Sequence, residues 1–570
     1  MKNILLALVF LIGSALPAAA QGCGPQNPNC IVPTAPVGTC DSRAASTAYA
    51  CQAGSGLVAP GTPGQIPTYN PPGTGLLDSA SISTNQNMYF GSGRPWCDIR
   101  SQGAVQNGTW TGTAFTGTDD NPAWSACNTI LSFLGGGIIY VPPSTGRSCL
   151  KSGGITLGPQ VFIVGAGNGY SGNGNITNLQ APSVASSCGV DNTVFNFAGQ
   201  GSGMSGMYVE GAPFGVTPAV IAAAVRVVIE HSTIEGGSPA LKMAAGCAGV
   251  CVVANTNAQS SYGTANVYAN AGFWGYQNIF DTTWFGIPAA GVVNAGAISA
   301  WAASTSYSST AGASNNIVTM TGPDGNSYYV KVTVSGTSGS GSQPTVRPYG
   351  QTFVDGTVTW RLLRPVGAGG VFYDVQCDGC SNMELIQNDL SGAAVGIGFT
   401  NTVSAVPQDN FLISNTFGNN WGNGILAHDG WGVQVNGGYV NACTTTNCIG
   451  IQTTANWSSG LQIADVSMFS NPTGVSFGAG INSSLKGSQI FNASTAAVNV
   501  AANLTDVTIA SNQLGSDGSL HGPNVNAAVL GTGTDYIIFL GNNCHGATAG
   551  LTNNGSGSHN YIPNGGNPGC

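Results

Sequence analysis

After Gly167 the chain keeps returning to one short pattern. A small residue plus an apolar one opens a strand at Val371, Val395, Ile425, Ile451, Val475, Val498 and Val529, in steps of 24, 30, 26, 24, 23 and 31 residues. A second motif sets an apolar residue three positions before a turn residue and five before another side chain, usually apolar. It occurs as Leu385/Asn388/Leu390, Leu412/Asn415/Phe417, Ile509/Asn512/Leu514 and Phe539/Asn542/Cys544, with an earlier copy at Ile229/Ser232/Ile234. Short strands with Asn and Gly turns at a period of about 25 residues are the signature of a solenoid. Stacked coils bring equivalent turn positions to about 4.8 Å from one another. Asn388, Asn415, Asn512 and Asn542, with Ser488 at the same position, are therefore expected to bond in a ladder, and Asn also tolerates left-handed backbone. About a dozen coils would make a rod roughly 55–60 Å long.

Ahead of the repeats, Cys97 to Gly167 forms an ordered set of signals. Thr118-Asp119-Asp120-Asn121 offers helix-capping side chains, and Pro122 suits a first helical turn. Trp124, Cys127, Ile130, Leu131 and Leu134 are spaced as one apolar face. Gly135-Gly136-Gly137 ends the helix. Ile138-Ile139-Tyr140-Val141 is a short buried strand stopped by Pro142-Pro143, and a further apolar strand runs up to Gly167. This set resembles the N-terminal cap of the pectate-lyase superfamily. The resemblance implies an all-β fold: a single-stranded right-handed parallel β-helix with an N-terminal α-helical cap over its open apolar end. The family usually has Gly-x-Tyr after the Pro turn, where this chain has Gly146-Arg147-Ser148-Cys149. Asp119 and Asp120 look like a catalytic acid pair, but their place at a helix start reads as capping.

Residues 1–20 read as a signal peptide, with Lys2, an apolar core from Ile4 to Leu16 and Ala18-Ala19-Ala20 before the cut. Residues 21–95 form an arm rich in Pro, Gly and Cys, 96–296 the cap and first coils, and 365–570 the remaining coils and tail. All sixteen Cys follow the cleavage site, which favours disulfides in an exported chain. Three pairs are close in sequence: Cys247/Cys251, Cys377/Cys380 and Cys443/Cys448. A zinc site at Cys377-x-x-Cys380 lacks a second pair of ligands at zinc spacing. No stretch is long and apolar enough to span a membrane. Only 6% of residues are charged, with 13 Lys+Arg and no basic stripe, which argues against a nucleic-acid partner.

Residues 297–364 break the repeat. Trp301, Tyr307, the run Asp324 to Val330 and the closing Asp355-Gly356-Thr357-Val358-Thr359-Trp360 resemble the small β-rich modules of chitin-binding and phage tail-fibre proteins. Trp301 and Trp360 either stack on sugar rings or form the core of a domain too small to have another, and the core reading is the weightier. Arg347, Arg361 and Arg364 concentrate in the same segment.

The signal-like segment implies an exported, secreted or cell-surface protein, with the periplasm as the other compartment. The superfamily resemblance implies a polysaccharide partner and activity as a polysaccharide lyase or glycoside hydrolase. The alternative is a non-catalytic glycan-binding rod of adhesin or tail-spike type, and a tail-spike likeness admits a trimer. A hydrolase needs two carboxylates about 5 Å apart if retaining and 6.5–9.5 Å if inverting. A lyase needs a base near a uronate, with Ca²⁺ or another cation to acidify the α-proton. The coils lack polygalacturonase-like and Arg-rich pectate-lyase motifs. The densest ionisable cluster is Arg226, Glu230, His231, Glu235 and Lys242. Alternation sends Arg226 and Glu230 outward, and aligned repeats place Asp281 in the column of Glu230. The catalytic candidates are thus Glu230, Asp281, His231 and Arg226, set against a surface ion pair between Arg226 and Glu230. A second cluster joins His428 and Asp429 to Trp421 and Trp431, set against ordinary loop aromatics beside a turn acid.

Overall fold

The computed structural model describes residues 87–88 and 95–570 apart from 111–114, 168–182, 213–214, 248–250, 260–264, 282–298, 310–314, 324, 326, 348–351, 366–372, 392, 394, 401–410, 415, 420–422, 442–448, 517, 519–521 and 564. The signal peptide, nearly all of the arm, Val371, Asn415, Trp421 and the Cys443/Cys448 pair lie outside the described residues.

The unit from Asn85 to Cys570 is a right-handed parallel β-helix of about 13 coils. Each coil runs through three sheets in turn. Among the described residues the first sheet has 15 strands, the second 11 and the third 13. One coil shows the logic: Val228–Glu230 lies in the first sheet, Thr233–Glu235 in the second and Leu241–Met243 in the third. With strands this short, one or two side chains per strand point inward. Ile229, Ile234, Leu241 and Met243 do so here, and all are fully buried.

From the strand Gly203–Ser205 onward only two residues join the first and second sheets, and each has its own task. The earlier one is left-handed in many coils: His231 has φ 47°, Asn255 48°, Gln277 52° and Gln387 57°. The later one carries the ladder. Asn278 Nδ2 donates to Asn388 Oδ1 at 2.9 Å, and Asn512 Nδ2 to Asn542 Oδ1 at 2.9 Å. The same oxygens accept backbone N–H groups of the coil below, from Asn278 and Asn512 at 3.1 Å each, and Asn512 Oδ1 accepts likewise from Ser488 N at 2.9 Å. Asparagine is thus used for its amide; the left-handed turn belongs to the residue before it. In the coil of Asn415 the ladder position is held by Thr416, which bonds the Leu385 carbonyl at 3.2 Å.

Three register expectations shift by one or two residues. Ile413, not Leu412, stacks on Leu385. Ile397, not Val395, stacks on Ile425, and Ala528, not Val529, stacks on Val498. Bulges and uneven loops let the repeat slide by a residue without losing its apolar alternation.

The cap helix spans Asn121–Phe133 and buries Ala123, Trp124, Cys127 and Leu131 against the first coils. Cys97–Cys127 ties it to the first sheet. Asp120 occupies the N-cap position without a side-chain cap. Its carboxylate accepts instead from Val105 N, Gln106 N and Ser148 Oγ at 2.7–3.0 Å. Asp119 accepts from Asn121 N, Lys151 N and Ser152 N. Both acids staple loops together, a structural role wider than capping. Cys247–Cys251 and Cys377–Cys380 are disulfides, which disposes of zinc at the latter.

Between the strands Ile279–Asp281 and Tyr373–Asp378 stands a separate antiparallel sheet. Its strand order is Ile317–Thr321, Ser327–Val334, Val358–Pro365, Thr352–Asp355. Trp360 and Tyr328 are wholly buried in its core, and half-buried Trp301 packs against that core while its Nε1 donates to Asp355 at 2.8 Å. Trp360 is therefore core and has no face for a sugar.

Candidate functional site

The outward face of the second sheet carries a cluster of ionisable side chains. Its strands are three residues long, so the first and third side chains of each point out of the solenoid. Tyr208, Thr233 and Asn257 stack in one column, and Ser186, Glu210, Glu235 and Gln259 in the next. The two glutamates are direct register partners on adjacent parallel strands. That spacing is about 4.8 Å between backbones.

Arg147 reaches this column from the segment that departs from the family pattern. Its Nε donates to Glu210 Oε2 at 2.6 Å, and its Nη2 lies 3.4 Å from Oε1. Ser186 Oγ donates to the same Oε2 at 2.8 Å. The guanidinium also rests over the Phe115 ring, 5.5 Å from its centroid. Burial works against the Arg147 charge, but the Glu210 carboxylate outweighs it and raises the pKa.

Glu235 is only 7% exposed. Tyr208 donates its hydroxyl to Oε2, and Oε1 has no hydrogen-bond partner. Burial pushes the carboxyl up to about 7, with Glu210 pushing the same way; the Tyr208 hydrogen bond and the Arg147 and Arg361 charges pull it down. Burial and the neighbouring glutamates also raise the Tyr208 phenol well above its ordinary value, so it stays a donor. Arg361, on the inserted antiparallel sheet, lies close enough for its charge to act on Glu235. The two glutamates thus sit side by side in unlike surroundings, one against a guanidinium and one in a dry, phenol-bonded position.

The residues expected from the sequence are placed differently. Glu230 is in the first sheet, in register with Ser205 and Ala254. Asp281 ends a strand of the second sheet, paired with Ser391, so it shares no column with Glu230. Its backbone continues the column of Glu210 and Glu235 instead. Its side chain is outside the described residues. Arg226 and His231 are exposed turn residues with φ 60° and 47°. No ion pair joins Arg226 to Glu230 among the described residues. In the second cluster, His428 Nδ1 bonds Asp429 Oδ2 at 2.7 Å on the third sheet, and Trp431 is exposed. The sequence did carry the signal for the glutamates: Tyr208-Val209-Glu210 and Thr233-Ile234-Glu235 stand one repeat apart. Among the described residues no three His, Cys, Asp or Glu side chains converge as a cation site.

The fold is a right-handed parallel β-helix, and its second sheet carries Glu210 and Glu235 in one outward column. No protein-family model and no curated protein sequence matches the chain. Solved structures similar to it include the A-module of mannuronan C-5 epimerase AlgE4 from Azotobacter vinelandii, at 10% identity and TM-score 0.38, covering 82% of this chain and 100% of that one. The catalytic unit of a GH87 α-1,3-glucanase from Streptomyces thermodiastaticus has 10% identity and TM-score 0.42, covering 84% and 71%. Tailspike protein 3 of bacteriophage CBA120 has 9% identity and TM-score 0.39, covering 88% and 66%. Likeness at this level carries no inference about activity.

Proposed function

We propose that this chain is an exported glycoside hydrolase acting on polysaccharide, with Glu235 as general acid and Glu210 as its carboxylate partner. The observation that carries this reading is the in-register pair Glu210 and Glu235, with different partners on each. Neighbouring parallel strands set the two backbones about 4.8 Å apart, which lets the side chains reach the roughly 5 Å carboxyl separation of a retaining pair. Glu235 keeps its proton to about pH 7, and its free Oε1 is the atom that delivers it to the glycosidic oxygen. Glu210 Oε1, held only by the long Arg147 contact, attacks the anomeric carbon as the glycosidic bond breaks. Glu235, now ionised, then takes a proton from water, and that water releases the sugar from Glu210. Arg147 and Ser186 hold Glu210 in place, and Tyr208 does the same for Glu235. A lyase is less well served: the raised Tyr208 phenol is a poor base, and Arg147 is already engaged.

The burial of Glu235 is the observation that favours the other reading, a glycan-binding rod without catalysis. With Glu235 only 7% exposed, a substrate reaches the pair only after its cover opens. Purified protein incubated with neutral glycans and uronans, monitored for reducing ends and for unsaturated uronate absorbance, decides between them. Reducing ends without unsaturated products are expected, and Glu235→Gln and Glu210→Gln should each lower the rate by about 10²–10⁴-fold. Glycan binding with neither product would establish the rod. The signal-like N-terminal segment and the five disulfides among the described residues support secretion. Among those residues no helix is long and apolar enough to cross a membrane.

A further inference from the structure

Beside Glu235 the second sheet presents a group of polar atoms that the protein itself leaves unused. Thr233 Oγ1, Glu235 Oε1, Asn257 Oδ1 and Gln259 Nε2 are all shielded from solvent and without a hydrogen-bond partner. They are not scattered. All four belong to the outward positions of two adjacent strands, Thr233–Glu235 and Asn257–Gln259. Thr233, Glu235 and Gln259 are 5%, 7% and 4% exposed. Each buried polar group left unpaired costs about 1–3 kcal/mol, and four on one patch are a cost that a folded chain bears where a ligand satisfies them.

The chemistry of the set limits the ligand. Thr233 offers a hydroxyl that gives and accepts, Asn257 an acceptor and Gln259 a donor. Sugar hydroxyls both give and accept, so they match all three. Adjacent strands lie about 4.8 Å apart, and the first and third residues of a strand about 6.6 Å apart. The patch is therefore about the size of one pyranose ring. It holds no cation of its own. The cations whose charge reaches Glu235 are Arg147 and Arg361. None of the three side chains of the patch carries a charge, and Arg147, the cation that reaches this column, is committed to Glu210.

We propose that Thr233, Asn257 and Gln259 form a subsite for an uncharged sugar residue adjoining Glu235. This deepens the hydrolase reading by naming a neutral glycan as substrate, and it rests on that reading for which bond is cut. Binding tests it without relying on turnover. The full chain carrying Glu235→Gln is titrated calorimetrically with gluco-, manno- and galacto-pentaoses and with pentameric galacturonate and mannuronate. A neutral pentaose should bind, and more tightly than either uronate. Adding Gln259→Leu or Thr233→Val should weaken that binding about five- to tenfold, the worth of one hydrogen bond. The melting temperature should hold or rise, because each change removes an unsatisfied polar group without opening a large cavity. Tighter binding of a uronate, unchanged affinity in both variants, or binding of no probe would each overturn the subsite. Intact binding effects with no cleavage by the unmodified chain would sink the hydrolase and leave the subsite standing. Cleavage that depends on Glu235, with unaltered binding in the variants, would do the reverse.

Discussion

Glu235 shows how a single position on a solenoid acquires chemistry. A carboxyl on an outward face would ordinarily be solvated and ionised. Here burial and a neighbouring glutamate raise it from 4.5 to about 7, against the pull of a tyrosine and two arginines. The unfolded chain releases that proton near pH 4.5, while the folded chain keeps it. Glu235 therefore favours the folded state fully below about pH 4.5, and that contribution fades as the pH rises through 7. The amide introduced by Glu235→Gln does not titrate. Urea unfolding at pH 4, 6 and 8 should show Glu235→Gln gaining on the unmodified chain as the pH rises, by roughly 3 kcal/mol across that range. A stability difference that stays constant with pH would mean that Glu235 titrates as an ordinary carboxyl. Ser186 and Arg147 bond Glu210 and Tyr208 bonds Glu235, and Arg147 stands where the sequence departs from the expected cap pattern. The local mismatch in the sequence is the residue that holds Glu210.

At the level of strands and turns, the spacing of the repeats made the winding legible, because identical coils demand identical spacing. The Asn ladder was legible for the same reason: Asn388, Asn512 and Asn542 recur at the turn and bond as expected. The column of Glu210 and Glu235 was harder to read. Only His231 and Ser232 separate a strand of the first sheet from one of the second, so a five-residue misalignment moves a side chain to another face. That is what separates Glu230 from Glu235. In the coil of Asp281 the inward position of the first sheet is Gly275, where an added Cβ would meet Leu385 Cδ2 at 2.7 Å. With no apolar residue to mark the frame, spacing alone sets Asp281 against Glu230, although Asn278 and Phe280 align it with Glu235. The ladder itself can be tested. Asn512→Ala would strand the Ser488 N–H and the Leu485 carbonyl, both served by the Asn512 amide. The expected loss is about 2–5 kcal/mol in chemical unfolding. Asn512→Thr should lose less, because Thr416 already makes the matching carbonyl bond in its own coil. Equal losses in the two variants would assign the effect to volume rather than to hydrogen bonding.

At the scale of the whole molecule, each coil contacts chiefly its two neighbours, so stability is a sum of local terms and the ends are the weak points. The N-terminal end is closed by the helix Asn121–Phe133, pinned by Cys97–Cys127. At the C-terminal end the tail does the closing with side chains and backbone. Asn567 completes the ladder, accepting from Asn542 N at 3.0 Å and donating to Phe539 O at 3.0 Å. Gly541 N and Cys544 N find the carbonyls of Gly566 and Pro568 at 2.9 and 2.8 Å. Cys544–Cys570 fastens that arrangement across 26 residues. Closing a loop of that length is worth about 3–4 kcal/mol in the unfolded chain, and in a solenoid the loss should stay near the opened end. Hydrogen exchange on the Cys544→Ala, Cys570→Ala chain should show the strands Asp535–Leu540 and Ala549–Asn553 losing protection first. The strand Gly137–Val141 beside the helical cap should keep its own. Protection lost evenly from one end to the other would mean that the coils unfold as a single cooperative unit, with the tail no more than one contact among many.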